Sequence, residues 1–447
     1  LNIFIKRQIS PARILALSFF LAIAVGTALL LLPHSTAAHH ISLIDALFTA
    51  TSAICVTGLT VVDTATYFSG FGHLIIILLI QLGGLGIMTF STLILLTAGR
   101  RISFSGKMAV EESFRPTAIS DFPTLLRDVF VFTLSIEALG SLILLSRFYK
   151  LFSFSRALAL SAFHSISAFC NAGFSLFSNN LVDFRGDVLV NLVIMLLIIV
   201  GGLGFFVLQE VRIAVKNIIK RKRFKFSLHT KLVAIVTTFI ILFGSAVIFL
   251  VDWNRGFCSL PLKEKTLASF FQVVSARTAG FNTIDLAGLS IASVLILILV
   301  MFIGASPGST GGGVKTTTFG LIFAFLRSRI KGYEVPRIFS RGIKNEDLIK
   351  AYTLVSLAFG LIFASTFAIL LLQPEFTLKQ VLFEVVSAFG TVGLSLGITP
   401  DLCSWSKFIL VVTMYVGRIG PLTMLYAFSR IEPAGNYQFV EESIMVG

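Results

Sequence analysis

The sequence predicts an all-α membrane protein made of four repeated units. Each unit is a membrane helix, a short re-entrant pore helix and a second membrane helix, and the units stand pseudo-fourfold around one central pore. Three observations carry that prediction. Of 447 residues, 56% are hydrophobic and only 13% charged, which is too little charge to cover a soluble protein of this length. Uninterrupted apolar runs at 74–96, 188–208 and 232–251 each reach the roughly 20 residues that cross a bilayer. A glycine turn then recurs four times at a nearly constant spacing.

The first apolar run, 14–32, follows Lys6, Arg7 and Arg13. It is longer than the core of a signal peptide and no small-residue cleavage site closes it, so a retained first span is expected. The turns read TSAICVTGLTVVD (51–63), SISAFCNAGFSLF (165–177), VVSARTAGFNTID (273–285) and VVSAFGTVGLSLG (385–397). Their glycines, Gly58, Gly173, Gly280 and Gly393, lie 115, 107 and 113 residues apart, and self-similarity at a fixed period means repeated structure. The units are expected at 1–98, 99–211, 212–329 and 330–431, with a tail at 432–447.

The stretch before each turn, 43–55 in the first unit and 382–390 in the fourth, allows only two to four helical turns. That is too short to cross. Basic residues gather between units, at Arg100, Arg101, Lys107 and Arg115, at 212–231 and at 327–350. The positive-inside rule places these loops together on the cytoplasmic side, so each unit makes two full crossings and one re-entrant excursion. Topology in a cytoplasmic membrane thus accounts for most of the net charge of +14 without nucleic-acid binding. The densest basic segment, 216–231, also suits anionic lipid or an acidic partner.

Non-helical backbone at membrane depth needs protein burial or a water-lined cavity. Four turns meeting on an aqueous axis satisfy that need, with their carbonyls as ligands for a desolvated cation. Glycine suits such a turn because it takes positive φ at no steric cost. The GGLG motifs at 83–86 and 201–204 read instead as close helix packing. Asp63, Asp183, Asp285 and Asp401 follow the four glycines and could draw cations to the mouth, or serve as ordinary loop caps.

The third unit departs from the pattern. Its last span reads MFIGASPGSTGGGVKTTTFG (301–320), which predicts a broken helix lining a cavity. It is not a phosphate-binding loop, because Lys315 stands one residue out of register and no strand precedes it. Arg418, inside the last span, must find a partner, and the carbonyls of the broken segment are candidates. Lys315 is either a second charge near the path or a reach to the cytoplasm. Arg277 is expected to brace a pore helix through Glu384, and Glu137 to be paired or near a headgroup. Cys55, Cys170, Cys258 and Cys403 form no zinc or disulfide pattern. No nucleophile–base pair or nucleotide motif points to an enzyme.

NAGFS, RTAGFN and SAFGTVGL resemble the superfamily of K⁺ transporters that includes Trk, Ktr and HKT proteins, and most of all the Ktr-type membrane subunit. The resemblance runs through nearly the whole chain. It implies repeats folded like the pore domain of a K⁺ channel and a carbonyl-lined K⁺ filter. That filter would comprise Val56, Thr57, Gly58 and Leu59; Asn171, Ala172, Gly173 and Phe174; Thr278, Ala279, Gly280 and Phe281; and Thr391, Val392, Gly393 and Leu394. Gly58 stands where sodium-selective HKT relatives carry serine, and no turn has the full TVGYG of a channel.

The resemblance further implies an intramembrane gate within 304–318. Its residues would be Gly304, Ala305, Ser306, Gly308, Ser309, Thr310, Gly311, Gly312, Gly313 and Lys315, with Arg418 facing them. It implies a homodimer, with contacts from 432–447, seated on a cytosolic ring of RCK-type nucleotide-binding subunits. No covalent cofactor is implied; K⁺ is the transported ion, and family members often depend on Na⁺. Two other classes remain: a secondary cation symporter with a midplane site, which four parallel units disfavour, and the ion-translocating subunit of a primary pump.

Overall fold

The structure, a computed structural model, describes residues 11–37, 40–86, 122–333, 335–339 and 341–428. The expectations for Lys6, Arg7, the second half of the 74–96 run, the cluster Arg100–Arg115 and the tail 432–447 lie outside these residues. Three helices come first: α1 (Pro11–Leu30), α2 (Leu43–Ile54) and α3 (Gly70–Leu85). Next are α4 (Phe122–Phe148), α5 (Phe154–Phe169), α6 (Val188–Leu203) and α7 (Phe205–Ile219). α8 (Leu228–Val251), α9 (Leu262–Ala276), α10 (Ile291–Ile303) and α11 (Thr316–Ile330) form the third group. α12 (Asn345–Leu372), α13 (Leu378–Gly390), α14 (Ser404–Ile419) and α15 (Pro421–Phe428) are the last described helices, and the described strands are the two-residue pair Arg337–Ile338 and Arg341–Gly342.

The long helices α1, α4, α8 and α12 contain the four described stretches long and apolar enough to cross a membrane. Their outward faces are apolar too: Phe20, Leu142, Phe239 and Phe363 are each more than half exposed, as expected of a surface that meets lipid. The short helices α2, α5, α9 and α13 are the opposite case. Ser42 caps α2 through the Asp45 N–H, and Thr377 and Gln380 form a capping box on α13, so these two begin sharply. Their last turns are then fully buried, as Ala50–Ile54 and Val385–Gly390 show.

Among the second helices of the units, α3, α6, α10 and α14, all but α10 correct the expectation of uninterrupted spans, whereas α10 ends at the break expected in 301–320. Each is 16, 16, 13 and 16 residues long, so the longest reaches about 24 Å against a hydrocarbon core of about 30 Å. Each stops at a glycine with positive φ: Gly86, Gly204, Gly304 and Gly420. The apolar run 188–208 is therefore not one straight span. It breaks at Gly204, and α7 leaves α6 at 102°. The last glycine of each GGLG motif is a helix breaker, while the first is the packing residue. A Cβ on Gly201 would strike the Phe169 carbonyl, and one on Gly417 the Phe389 carbonyl.

Helix packing follows one cyclic order. α3 packs on α5, α6 on α9, α10 on α13, and α14 on α2, so each second helix meets the short helix that leads into the next glycine turn. Ion pairs join neighbouring units at one end: Lys407 Nζ lies 2.8 Å from Asp45 Oδ1, and Arg185 Nε 2.6 Å from Glu264 Oε2.

Asp187 joins two elements at that same end. It caps α6 by accepting the Val190 N–H at 3.1 Å and pairs with Arg147 at the end of α4. Burial by itself raises its carboxyl pKa, but the Arg147 guanidinium and the Val190 and Leu189 N–H groups outweigh that and hold it below the usual carboxylate value. A depressed folded-state pKa stabilises above the unfolded value, near 4, and the gain is lost as pH falls through the folded value. Thermal unfolding in detergent at stepped pH should therefore show less acid destabilisation below about pH 4 in Asp187→Asn than in the native protein. An unchanged slope would contradict this role.

Candidate functional site

Each pore helix delivers its chain into a turn of unusual backbone. The first expected filter residue of every turn takes positive φ: Val56 at 56°, Asn171 at 59°, Thr278 at 73° and Thr391 at 51°. Two residues later the glycines follow, Gly58 at 91°, Gly173 at 70°, Gly280 at 78° and Gly393 at 93°. The sequence reading assigned positive φ to glycine alone, which the structure corrects. Valine and threonine are poor choices for this region, and each such residue costs about 1–3 kcal/mol unless its surroundings compel it.

The compelling contacts come from the serine of each Ser-Ala pair, whose role the sequence reading missed although all four turns carry it. The carbonyls of Ser52, Ser167, Ser275 and Ser387 accept the N–H groups of Thr57, Ala172, Ala279 and Val392 at 2.7–2.8 Å. Their side chains reach further along. Ser52 and Ser387 accept from the Gly58 and Gly393 N–H groups at 3.0 and 3.1 Å. Ser167 and Ser275 donate to the carbonyls of Phe174 and Phe281.

The four turns approach one another in the same cyclic order as the helices. A Cβ built on Gly58 would lie 3.1 Å from Gly173 Cα, and one on Gly173 2.8 Å from Gly280 Cα. On Gly280 it would lie 3.1 Å from Gly393 Cα, and on Gly393 2.9 Å from Gly58 Cα, closing the ring. Leu59, Phe174, Phe281 and Leu394 point their bulk into the core, each 0–1% exposed. A vestibule of about 510 Å³ opens on the four glycines. Asp63 and Asp285 line it, whereas Asp183 and Asp401 are not among its lining residues. Asp63 also accepts from Ala65 N, and Asp285 from Ala287 N, so both act as local caps as well.

The interrupted segment runs from Gly304 to Lys315, three residues shorter than the expected 304–318, because α11 already begins at Thr316. It lies directly against two of the turns. Gly312 N–H donates to Thr391 Oγ1 at 3.1 Å, and a Cβ on Gly311 would run into the Thr278 side chain. A Cβ on Gly313 would lie 3.3 Å from Gly390 Cα. On its other side the segment is tied to the end of α6. Ser306 N bonds to Gly202 O at 3.1 Å, Phe205 N to Gly308 O at 3.0 Å, and Thr310 Oγ1 to the carbonyls of Phe169 and Gly201 at 3.2 Å. Ser309 Oγ closes a local turn on Ser306 O, and Ala305 N bonds to Gly312 O.

Arg418 finds the partner its position demands: its guanidinium donates to the carbonyls of Thr310 and Gly83, bridging the segment to the end of α3. Lys315 turns back on the segment, with Nζ 2.8 Å from Gly311 O and 3.4 Å from Gly312 O. Arg277 does not pair with Glu384. It donates to Thr237 Oγ1 at 3.3 Å, because the Glu384 carboxylate is already taken by Ser395, Leu396 and Thr399 on its own unit. Glu137 is paired, accepting from Gln81 Nε2 at 3.1 Å and from the Cys170 thiol at 3.7 Å.

The family described as TrkH, a cation transport protein, matches residues 7–439. The chain belongs to the TrkH family. This TrkH-family chain is 42% identical to Ktr system potassium uptake protein B of Bacillus subtilis, across 98% of its own length and 97% of that protein. It is 35% identical to the potassium/sodium uptake protein NtpJ of Enterococcus hirae, across 99% and 98%. The crystal structure of the potassium transporter TrkH from Vibrio parahaemolyticus superposes with a TM-score of 0.73 over 96% of this chain and 86% of that one. At 18% identity that likeness establishes the shared helical fold. The resemblance drawn from NAGFS, RTAGFN and SAFGTVGL thus holds, and the TrkH-family chain is a membrane-spanning ion transport protein.

Proposed function

We propose that the chain takes up K⁺ across the cytoplasmic membrane, along a channel-like path lined by the carbonyls of its four glycine turns. The observation that carries this reading is the cyclic approach of Gly58, Gly173, Gly280 and Gly393. The residues 56–59, 171–174, 278–281 and 391–394 form the filter in a pseudo-fourfold pore of four repeats. Left-handed backbone at two residues of every turn, with the intervening N–H groups held by the pore-helix serines, turns carbonyls toward the axis. A cation there exchanges its water for carbonyl oxygens. All four pore helices end at the turns, so the negative ends of their dipoles favour a cation at the centre.

Gly304–Lys315 is the gate. Its closed position is fixed by Gly312 on Thr391, by Arg418 on Thr310 and by Lys315 on the segment itself, and conduction requires these contacts to part. Asp63 and Asp285 concentrate cations in the vestibule, with Asp183 and Asp401 acting at longer range. The basic loops face the cytoplasm, where a homodimer meets a ring of RCK-type nucleotide-binding subunits. Similarity to a potassium/sodium uptake protein supports Na⁺ as a second or activating ion.

Uptake of K⁺, Rb⁺ and Na⁺ into proteoliposomes holding this chain alone tests the proposal. K⁺ and Rb⁺ are expected to enter well ahead of Na⁺. Equal entry of all three, or K⁺ entry only against a co-transported ion, would overturn the channel-like reading.

A further inference from the structure

The residue three positions before each pore-helix serine is polar in all four units: Thr49, His164, Gln272 and Glu384. One turn of helix places it level with the strand that leaves the filter toward the vestibule. Thr49 bonds only within its helix, to Asp45 O at 2.8 Å. The other three reach that outgoing strand. His164 Nε2 lies 3.0 Å from Ser175 Oγ, and Gln272 Nε2 donates to Thr283 Oγ1 at 3.3 Å.

Glu384 differs in kind. Its Oε1 accepts from Ser395 Oγ and from Leu396 N at 3.2 Å, and its Oε2 accepts from Thr399 Oγ1 at 3.1 Å. The side chain is 1% exposed, and among the described ion pairs no cation faces it. These donors favour the charged form of the carboxyl, while burial away from any described cation opposes it. Ser395 and Thr399 in turn line the vestibule directly beyond Gly393. An acidic group without a described cation partner therefore stands one hydrogen bond behind the entrance of the fourth turn, where a passing K⁺ would favour its charged form.

We infer that Glu384 is a positioning residue that sets the affinity of the outermost K⁺ site, through its charge and through the Ser395–Thr399 strand it holds. The inference rests on the four turns being the filter. Because only one unit carries the carboxylate, the outer site is electrostatically lopsided toward the fourth unit, where the gate also makes its hydrogen bond to Thr391.

The test is K⁺ uptake at graded K⁺ in proteoliposomes, which separates half-saturation from maximal rate. Glu384→Gln keeps the shape and removes the charge. It should raise the half-saturating K⁺ concentration about tenfold with maximal rate within about twofold, while Glu384→Asp should stay nearer the native value. Gln272→Glu adds a carboxylate at the equivalent place in the third unit and should lower half-saturation, which keeps the test decisive if Glu384→Gln does not assemble. A merely structural role gives the reverse order: Gln near native, Asp defective and Gln272→Glu without effect. Gly393→Ser runs alongside. If it loses K⁺ preference while the Glu384 and Gln272 variants leave half-saturation unchanged, the inference fails alone; if Gly393→Ser is also silent, the filter reading fails with it.

Discussion

Gly393→Ser is expected to lower the ratio of K⁺ to Na⁺ uptake by at least tenfold while the protein still assembles. At φ of 93° a Cβ on residue 393 would lie 2.9 Å from Gly58 Cα and closer still to the Thr57 carbonyl. Those neighbours are backbone, so no side chain can swing away; the opposing filter strand must shift, and its carbonyls shift with it. The φ itself adds about 1–2 kcal/mol of strain. Gly58→Ser meets the Ala172 carbonyl and Gly173 Cα in the same way and should behave alike. Gly397→Ala separates the two effects. It has nearly the same φ, 94°, but nothing within 4 Å of the new carbon, so it should lower thermal stability and leave selectivity intact. Isotope uptake for K⁺ and Na⁺, read beside melting temperature, checks all three variants. Unaltered selectivity in both serine variants would reduce the glycines to packing devices.

Arg418→Ala should raise K⁺ uptake by the isolated chain about three- to tenfold. The guanidinium joins the Thr310 carbonyl of the interrupted segment to the Gly83 carbonyl of α3, so its loss releases the segment from the first unit. The hydrogen bonds are charge-assisted, each worth about 1.5–3 kcal/mol, enough to shift the proposed gate toward a released position by about tenfold or more if half of it bears on the position seen here. Removing the positive charge from beside the path lowers an electrostatic barrier as well. Arg418→Lys keeps the charge but lacks the planar fork that reaches two carbonyls at once. Its uptake should therefore fall between native and alanine. A folded Arg418→Ala protein with reduced uptake would show that the arginine supports conduction instead of restraining it.

The legibility of this protein in its sequence follows from which interactions are local. Apolar runs, basic loops and the recurring Ser-Ala…Gly turn are properties of short windows, so the class, the repeat and the position of each turn could be read directly. The broken segment at 301–320 was legible for the same reason, since six glycines and Pro307 in one apolar run cannot make a regular helix. The breaks at Gly86 and Gly204, whose motifs read as packing, and at Gly420 are not legible, because a single glycine inside a helix usually costs only about 1 kcal/mol. They depend on what lies beyond the helix end: Pro307 O sits 2.5 Å from where a Cβ on Gly204 would be. The Arg277–Glu384 pairing failed on similar grounds. Opposite charges in an apolar chain suggest a pair, but Glu384 had three donors within fifteen residues, and Arg277 faced α8 instead.

The sequence by itself determined that this chain lies in a membrane and that a glycine turn between apolar segments recurs four times. Composition and periodicity suffice for those, because the bilayer and the backbone impose them on any chain with this pattern. Only the tertiary structure decided that Val56, Asn171, Thr278 and Thr391 share the left-handed backbone with the glycines, and that the serines behind them hold it in place. It also decided that Gly312 rests on Thr391 and Arg418 on Thr310 and Gly83. The reason is physical: strained backbone and a half-buried arginine are stable only when partners from distant parts of the chain surround them, and those partners are 79, 108 and 335 residues away.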